Sequence, residues 1–299
     1  MVSVMRIGIG LPAAVPGATA SALGDWAEAS DRAGFASVSV LDRLVYDNLD
    51  PLVALAVAAA RTDRVELLAT VLNVPYRINP VLVAKQLASI DRLSVGRLTA
   101  GLALGGWPED AEASGIELGG RGPVLDAMLA TMRRVWDGKV SGAAGPMPAL
   151  PEGRPGVLFG GLTPASFRRV ASSGLGWVAP FFGMELLVGG IESTRRAWSE
   201  AGRSGQPRIV AERYFCLGSD ADRTADDYLA HYYGPDYFAA ARTDSVTSGA
   251  EIRSELERLD EAGCDDVILF PCSDALGQVE LLATALDDLG IPTSPETSE

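Results

Sequence analysis

Histidine and lysine are almost absent from this chain of 299 residues, and it contains no long apolar run. The one histidine is His231, and the lysines are Lys85 and Lys139. A single histidine excludes an H-x-H metal pair, and any Ser-His-Asp triad or Cys-His dyad would have to be built on His231. That residue stands beside Tyr232-Tyr233 in a polar stretch and reads as a surface or lid position. No metal site is expected. Three cysteines, Cys216, Cys264 and Cys272, show no C-x-x-C spacing, so the sequence implies a reducing, cytoplasmic setting without a disulfide framework. No segment reaches the roughly 18 apolar residues that a membrane span needs. The N-terminal stretch faintly resembles a signal peptide, but Pro12 and Pro16 interrupt it, and Met5–Gly10 reads better as a first strand. A net charge of −14 argues against nucleic acid or an anionic membrane as partner, while leaving room for a local phosphate pocket.

What is present is 47% hydrophobic residues, enough for a sizeable core. The pattern alternates strand with helix. Aliphatic or β-branched runs at Arg6–Gly10, Ala36–Leu41, Val65–Leu72, Leu98–Leu104, Val157–Gly160, Trp177–Phe181, Arg208–Leu217 and Asp266–Phe270 read as eight strands. Between them lie helical stretches. One opens at Asn79-Pro80 and carries apolar residues at Val83, Leu87, Ile90 and Leu93. Another, over Ala221–Ala241, is broken at Gly234-Pro235. Pro108–Gly122 reads as an acidic loop, and Gly138–Gly156 as a long irregular connection. Eight strands at this spacing fit an α/β fold of the (β/α)8 TIM-barrel kind, with insertions in the C-terminal-face loops. The expected organisation is one catalytic domain over residues 1–291 and a disordered tail over 292–299. A doubly wound sheet is disfavoured, because Gly8-x-Gly10 lacks the third glycine of a dinucleotide fingerprint.

A barrel keeps its chemistry at the C-terminal ends of its strands. These ends carry Leu11-Pro12, Asp42-Arg43, Asn73, Gly105-Gly106, Gly160–Thr163 and Phe181-Phe182. Asp42 and Arg43 are either functional charges or a turn residue and a surface charge. Gly160, Gly161, Leu162 and Thr163 precede a helix. Two glycines and a free helix N-terminus suit a phosphate, though Thr163 as an ordinary helix cap explains part of the pattern. Asn73 could hydrogen-bond the edge of a heterocycle or simply form a turn. Leu72, Leu104, Phe181 and Phe182 could wall an apolar slot for a flat ring. Arg97 reads as structural, paired with an acid such as Asp91.

At these residues the chain resembles the bacterial luciferase-like superfamily of flavin- and deazaflavin-dependent oxidoreductases. The matching pieces are GFASVSVLDRL (34–44), TVLNVPYRINPVLVAKQLASIDRLSVGRL (70–98), GLALGGW (101–107), GGLTPASFRRVASSGLGWVAP (160–180) and SGAEIRSELERLDEAGCDDVILFP (248–271). The resemblance implies a TIM barrel with a flavin or deazaflavin ring at the C-terminal mouth. It implies a non-proline cis peptide at Val71–Leu72, cofactor contacts from Val71, Leu72, Asn73, Leu104 and Gly105, and the cofactor phosphate at Gly160–Thr163. Two departures stand out. Many members carry a histidine where this chain has Arg43, and an arginine cannot act as a base near neutral pH. Light-emitting members place an arginine near the phosphate where this chain has Leu104, which argues against light emission.

The resemblance therefore implies a luciferase-like monooxygenase acting on paired donors with O2. It would use reduced FMN from a separate flavin reductase to oxygenate a small, largely apolar substrate, with Asp42 and Arg43 as catalytic residues. The alternatives are hydride transfer with the deazaflavin coenzyme F-420, and a non-catalytic flavin-binding accessory barrel. A homodimer is implied as well.

Overall fold

The computed structural model describes residues 5–181 and 183–293. Eight parallel strands close into a barrel: β1 Arg6–Gly10, β2 Ser37–Val40, β3 Glu66–Asn73, β4 Leu98–Ala103, β5 Gly156–Gly160, β6 Gly176–Val178, β7 Arg208–Phe215 and β8 Asp266–Pro271. Each pairs with its neighbours in chain order, and β8 pairs with β1. The helices between them are α1 Ala20–Arg32, α2 Pro51–Arg61, α3 Pro80–Leu93, α4 Pro108–Ala113, α5 Arg121–Trp136, α6 Pro164–Ser173, α7 Met184–Glu200, α8 Ala221–Thr243, α9 Gly249–Ala262 and α10 Gly277–Asp288.

The local sequence explains how the chain turns from strand to helix. Asp50, Asn79 and Thr163 each cap a helix whose first residue is proline, and their side chains accept from N–H groups of the first turn. Proline fixes the entry angle where its missing N–H costs nothing, and the cap satisfies a donor that the helix leaves open. Strand alternation then divides the core in two. Outward residues such as Ile7, Val38, Leu67, Leu102, Phe159 and Ile209 pack under the helices. Inward residues such as Leu68, Leu158, Val210 and Ile268 fill the barrel. The barrel's N-terminal end is closed by charge. The Arg208 guanidinium donates to both oxygens of Glu66 (2.8 and 2.9 Å) and both of Asp266 (2.8 Å each). Burial works to raise the Glu66 carboxyl, but the hydrogen bonds and charge of Arg208 prevail and hold it below its usual range.

Several readings need correction. The acidic stretch after Gly106 is not all loop: Trp107-Pro108 starts the short helix α4. The connection after Gly138 holds a small hairpin, Ser141–Gly142 with Gly145–Pro146. The sixth strand ends at Val178 rather than Phe181, and the seventh at Phe215 rather than Leu217. Arg97 is structural, but it does not pair with Asp91. Its guanidinium staples the Thr62 and Val65 carbonyls together, while the nearest cation to Asp91 is Arg154 at 3.8 Å. The break in α8 lies where expected, with Gly234 at φ 67°. Of the expected tail, Thr293 donates to the Ala33 carbonyl, and residues 294–299 lie outside the described residues. Among the described residues, no helix is long and apolar enough to cross a membrane, and no three His, Cys, Asp or Glu side chains group to hold a metal.

Candidate active site at the barrel mouth

The irregularity that shapes the site lies in β3. Ala69 pairs with Ala100 and Leu72 with Leu102, so β3 spends three residues where β4 spends two. The extra residue is a bulge, which re-aims side chains. Thr70 and Val71 consequently both face the mouth of the barrel, and Leu72 turns outward into the layer under the helices. The cis peptide lies within this bulge, at Thr70–Val71, one bond earlier than the resemblance implied. Leu72 is therefore not a wall of the ring slot, because the bulge has turned it away. Gly101 on β4 makes room for this arrangement: a Cβ there would lie 2.4 Å from the Ala69 carbonyl oxygen.

Above the bulge is a cavity of about 420 Å³, inside the roughly 300–1,000 Å³ range of small-molecule sites. Asp42, Val71, Asn73, Leu104, Gly105 and Gly160–Thr163 all line it. The glycine pair keeps one wall bare. A Cβ on Gly160 would meet Val71 Cγ1 at 3.2 Å, and Gly161, at φ 112°, would place one 2.5 Å from Ser166 Oγ. Thr163 both caps α6 and lines the cavity, with its hydroxyl 3.0 Å from that of Ser166. The one cation among the lining residues is Arg121, which opens α5. Its Nη1 donates to the Leu104 and Gly105 carbonyls at 2.8 and 2.6 Å. A guanidinium thus reaches the strand end that Leu104 leaves without charge. No local pattern marks it, since Arg121 arrives from 17 residues further on.

Asp42 lines the cavity, but its carboxylate is already engaged. The Asn73 N–H donates to one oxygen (2.8 Å) and Arg77 to the other (3.0 Å), while the Asn73 amide donates to the Asp42 carbonyl. Burial raises the Asp42 carboxyl, and Arg77 opposes the rise. The pair ties the ends of β2 and β3 together. Arg43 does not line the cavity. Its side chain, 5% exposed, lies 3.8 Å over the Trp107 ring, donates to Glu109 at 2.7 Å and reaches the Tyr232 carbonyl at 3.2 Å. It binds the end of β2 to α4 and α8. His231 is exposed and hydrogen-bonded to the Tyr46 hydroxyl at 2.7 Å.

Two features escaped the sequence reading. Glu212, on the inner face of β7, is 7% exposed and lines the cavity, and its Oε1 has no hydrogen-bond partner among the described residues. Burial pushes its carboxyl up to about 8, against the Thr70 hydroxyl and the Arg213 charge. The signal was a lone glutamate at an inward position of an apolar strand. The second feature is a chamber of about 590 Å³ beside the cavity, which also touches Glu212. Its walls include Phe181, Tyr232, Tyr233 and Tyr237. Phe181 thus faces this chamber rather than the first cavity, and Phe182 lies outside the described residues. Tyr228 and Tyr232, four residues apart, have helical spacing that places them on one face of α8 before its break at Gly234.

Known proteins with similar sequence or fold bear on this site. The model of the luciferase-like monooxygenase family matches residues 5–268. An uncharacterized protein of Mycobacterium tuberculosis is 31% identical over 210 residues, spanning 61% of this chain and 73% of its own. Among solved structures, monooxygenase RslO1 from Streptomyces bottropensis superposes with a TM-score of 0.78 at 24% identity, covering 96% of this chain and all of its own. An F420-dependent secondary alcohol dehydrogenase, solved with an F420-acetone adduct, gives 0.77 at 16% identity, over 98% and 100% of the two chains. A type II Baeyer-Villiger monooxygenase of Pseudomonas putida, solved with FMN, gives 0.72 at 16%, over 98% and 99%. These structural likenesses carry the fold; the family match spans almost the whole barrel and carries the kinship. The chain belongs to the luciferase-like monooxygenase family.

Proposed function

We propose that this protein is an FMN-dependent monooxygenase that oxygenates a small, largely apolar molecule. The observation that carries the reading is the cavity wall, where bare Gly160-Gly161 backbone, the Thr163 and Ser166 hydroxyls and a single guanidinium, Arg121, line one site. One cation and one helix N-terminus suit one phosphate. FMN ends in a single phosphate, whereas the F-420 tail adds several carboxylates, for which the lining offers no further cation. The fit is supported by the glycine wall, because a side chain at either position would fill the space.

In this reading Gly160, Gly161, Leu162 and Thr163 hold the phosphate end, and Arg121 offsets its charge. Val71, Leu104 and Gly105 offer apolar and backbone contact to the ring, and Asn73 keeps its amide oxygen for a ring N–H. Reduced FMN, when bound, supplies the electrons and the oxygen activation. Asp42 and Arg43 act as positioning residues. Asp42 fixes the β2 and β3 ends against each other, and Arg43 holds α4 and α8 over the mouth so that water is kept from the pocket. Glu212 is the titratable group free to hold or move a proton at the inner end of the site. A flavin reductase supplies the reduced cofactor, and the exposed apolar residues Val53, Val81 and Leu82 on α2 and α3 support a homodimer.

The test is incubation with each reduced cofactor. Oxygen consumption with reduced FMN and an aromatic or terpenoid substrate panel is expected. Oxidation of reduced F-420 without oxygen would instead establish the hydride-transfer alternative. Tight FMN binding with no turnover on any substrate would point to an accessory barrel.

A further inference from the structure

The chamber beside the cofactor cavity has its own chemistry. Its walls are aromatic, with Trp107, Phe181, Tyr232, Tyr233 and Tyr237 around it. Flat aromatic surfaces favour a flat guest, since stacked and edge-to-face contacts each add roughly 0.5–1.5 kcal/mol beyond area burial. Among the described residues no lysine or arginine lines it, and Glu109 and Asp236 do, which disfavours an anionic guest. At the boundary with the cofactor cavity stands Glu212, which lines both spaces and has an unpartnered, buried Oε1.

We infer that this chamber binds an uncharged, planar aromatic carbonyl compound, whose oxygen accepts a hydrogen bond from the Glu212 carboxyl. The inference rests on the proposed function only in treating the neighbouring cavity as the cofactor's. The direction of the hydrogen bond follows from the surroundings of Glu212. Arg213, next in sequence, is turned to the outside of the barrel and held by Glu255 at 2.6 Å, so its charge is shared with another acid. Thr70 from β3 gives a hydroxyl, and α8 presents the phenols of Tyr232 and Tyr233, with Arg43 lying beyond them and already bonded to Glu109. With no cation of its own, the buried carboxyl is held up at about 8 by desolvation, which favours the protonated form at neutral pH. A protonated carboxyl donates, and a carbonyl oxygen is the guest atom that accepts without carrying charge into the pocket.

The probe is 1-acetonaphthone, with 1-naphthoate as its anionic counterpart. Binding is measured by calorimetry to the apo-protein and to the FMN-loaded protein, with FMN affinity measured separately by flavin fluorescence. The expected result is one acetonaphthone site and at least about tenfold weaker naphthoate binding. Glu212→Leu should weaken the ketone about tenfold at pH 6.5, the value of one hydrogen bond from a buried donor. Raising the pH through 8 should weaken the ketone in the native protein, and Glu212→Gln, whose amide donates at every pH, should bind it with a flat profile. Should Glu212→Leu unfold, the Gln variant and the naphthoate comparison still decide. Equal or tighter naphthoate binding, native affinity in Glu212→Leu, or an unchanged pH profile in Glu212→Gln would each overturn the inference. Ketone binding without FMN binding would remove the proposed function and leave the chamber assignment standing. FMN binding without ketone binding would do the reverse.

Discussion

Replacing Arg43 with methionine separates a positioning cation from a catalytic one. Methionine keeps an unbranched apolar stem and deletes the guanidinium. Its contacts go with it, including a looser 3.8 Å pairing with buried Asp110 that adds to the next three. The 3.8 Å stacking on Trp107 is buried and contributes about 2 kcal/mol. The bond to the Tyr232 carbonyl contributes about 1 kcal/mol. The pair with Glu109 contributes about 0.5 kcal/mol, discounted because Glu109 is 42% exposed. The loss is roughly 3 kcal/mol once methionine packing returns some of it. With an unfolding entropy near 2.1 cal/mol/K per residue, a chain of 299 residues loses about 5 °C of melting temperature for that energy. Calorimetry reads the melting point, and amide exchange over Pro108–Ala113 reads α4, where about 3 kcal/mol accelerates exchange by roughly 100-fold if the helix opens on its own. Turnover should fall together with the protection of α4. If turnover collapsed while the melting point and α4 exchange stayed at native values, Arg43 would be acting on the reacting atoms, and the positioning argument would be wrong.

Other perturbations test other parts of the molecule. Glu66→Gln removes a carboxylate from the Arg208 cluster and should cost about 3 kcal/mol in denaturant unfolding at pH 7. Because the folded Glu66 carboxyl lies below its usual value of 4.5, its contribution is complete above that pH and is lost as pH falls through the lower folded value, so the variant should show a shallower loss of stability in acid. Glu212 has the opposite sign. Its folded carboxyl is raised to about 8, so its contribution is present below 4.5 and is lost as pH rises toward 8; Glu212→Gln should melt with less dependence on pH between 5 and 9. Gly101→Ala places a methyl 2.4 Å from the Ala69 carbonyl oxygen and should cost about 1–3 kcal/mol and weaken cofactor binding, seen by thermal shift and by flavin fluorescence.

The barrel was readable because each strand is a short apolar run and α1, α2, α3, α6 and α9 each start with a side-chain cap. Arg6–Gly10 needed no correction at either end, and Pro164–Ser173 was bounded by Thr163 and Gly174. Helix α4 was missed because Pro-Glu-Asp-Ala-Glu-Ala has too few apolar residues to show a period, and it is held by Arg43, distant in sequence, which pairs with Glu109. The bare glycine wall at Gly160-Gly161 was legible because glycines and a cap have local meaning. Arg43 was not, since no local pattern says that an arginine at a strand end will be covered by an aromatic ring. Leu72 failed for another reason: period-two alternation assigns its face only if the strand is regular, and the bulge shifts it. Glu212 was passed over as one charge in a strand, although an acid facing into a barrel has to be paired or neutral.

In the proposed function the barrel mouth holds the phosphate of FMN at Gly160–Thr163 and Arg121. Titration with FMN and with riboflavin, which lacks only the phosphate, tests it directly in the native protein and in Thr163→Ala and Arg121→Met. Native protein is expected to bind FMN at least about 30-fold more tightly than riboflavin, the value of roughly 2 kcal/mol from charge-assisted hydrogen bonds. Each variant should narrow that ratio while leaving riboflavin affinity within about twofold of native. Equal affinity for the two flavins, or variants that leave the ratio untouched, would contradict it.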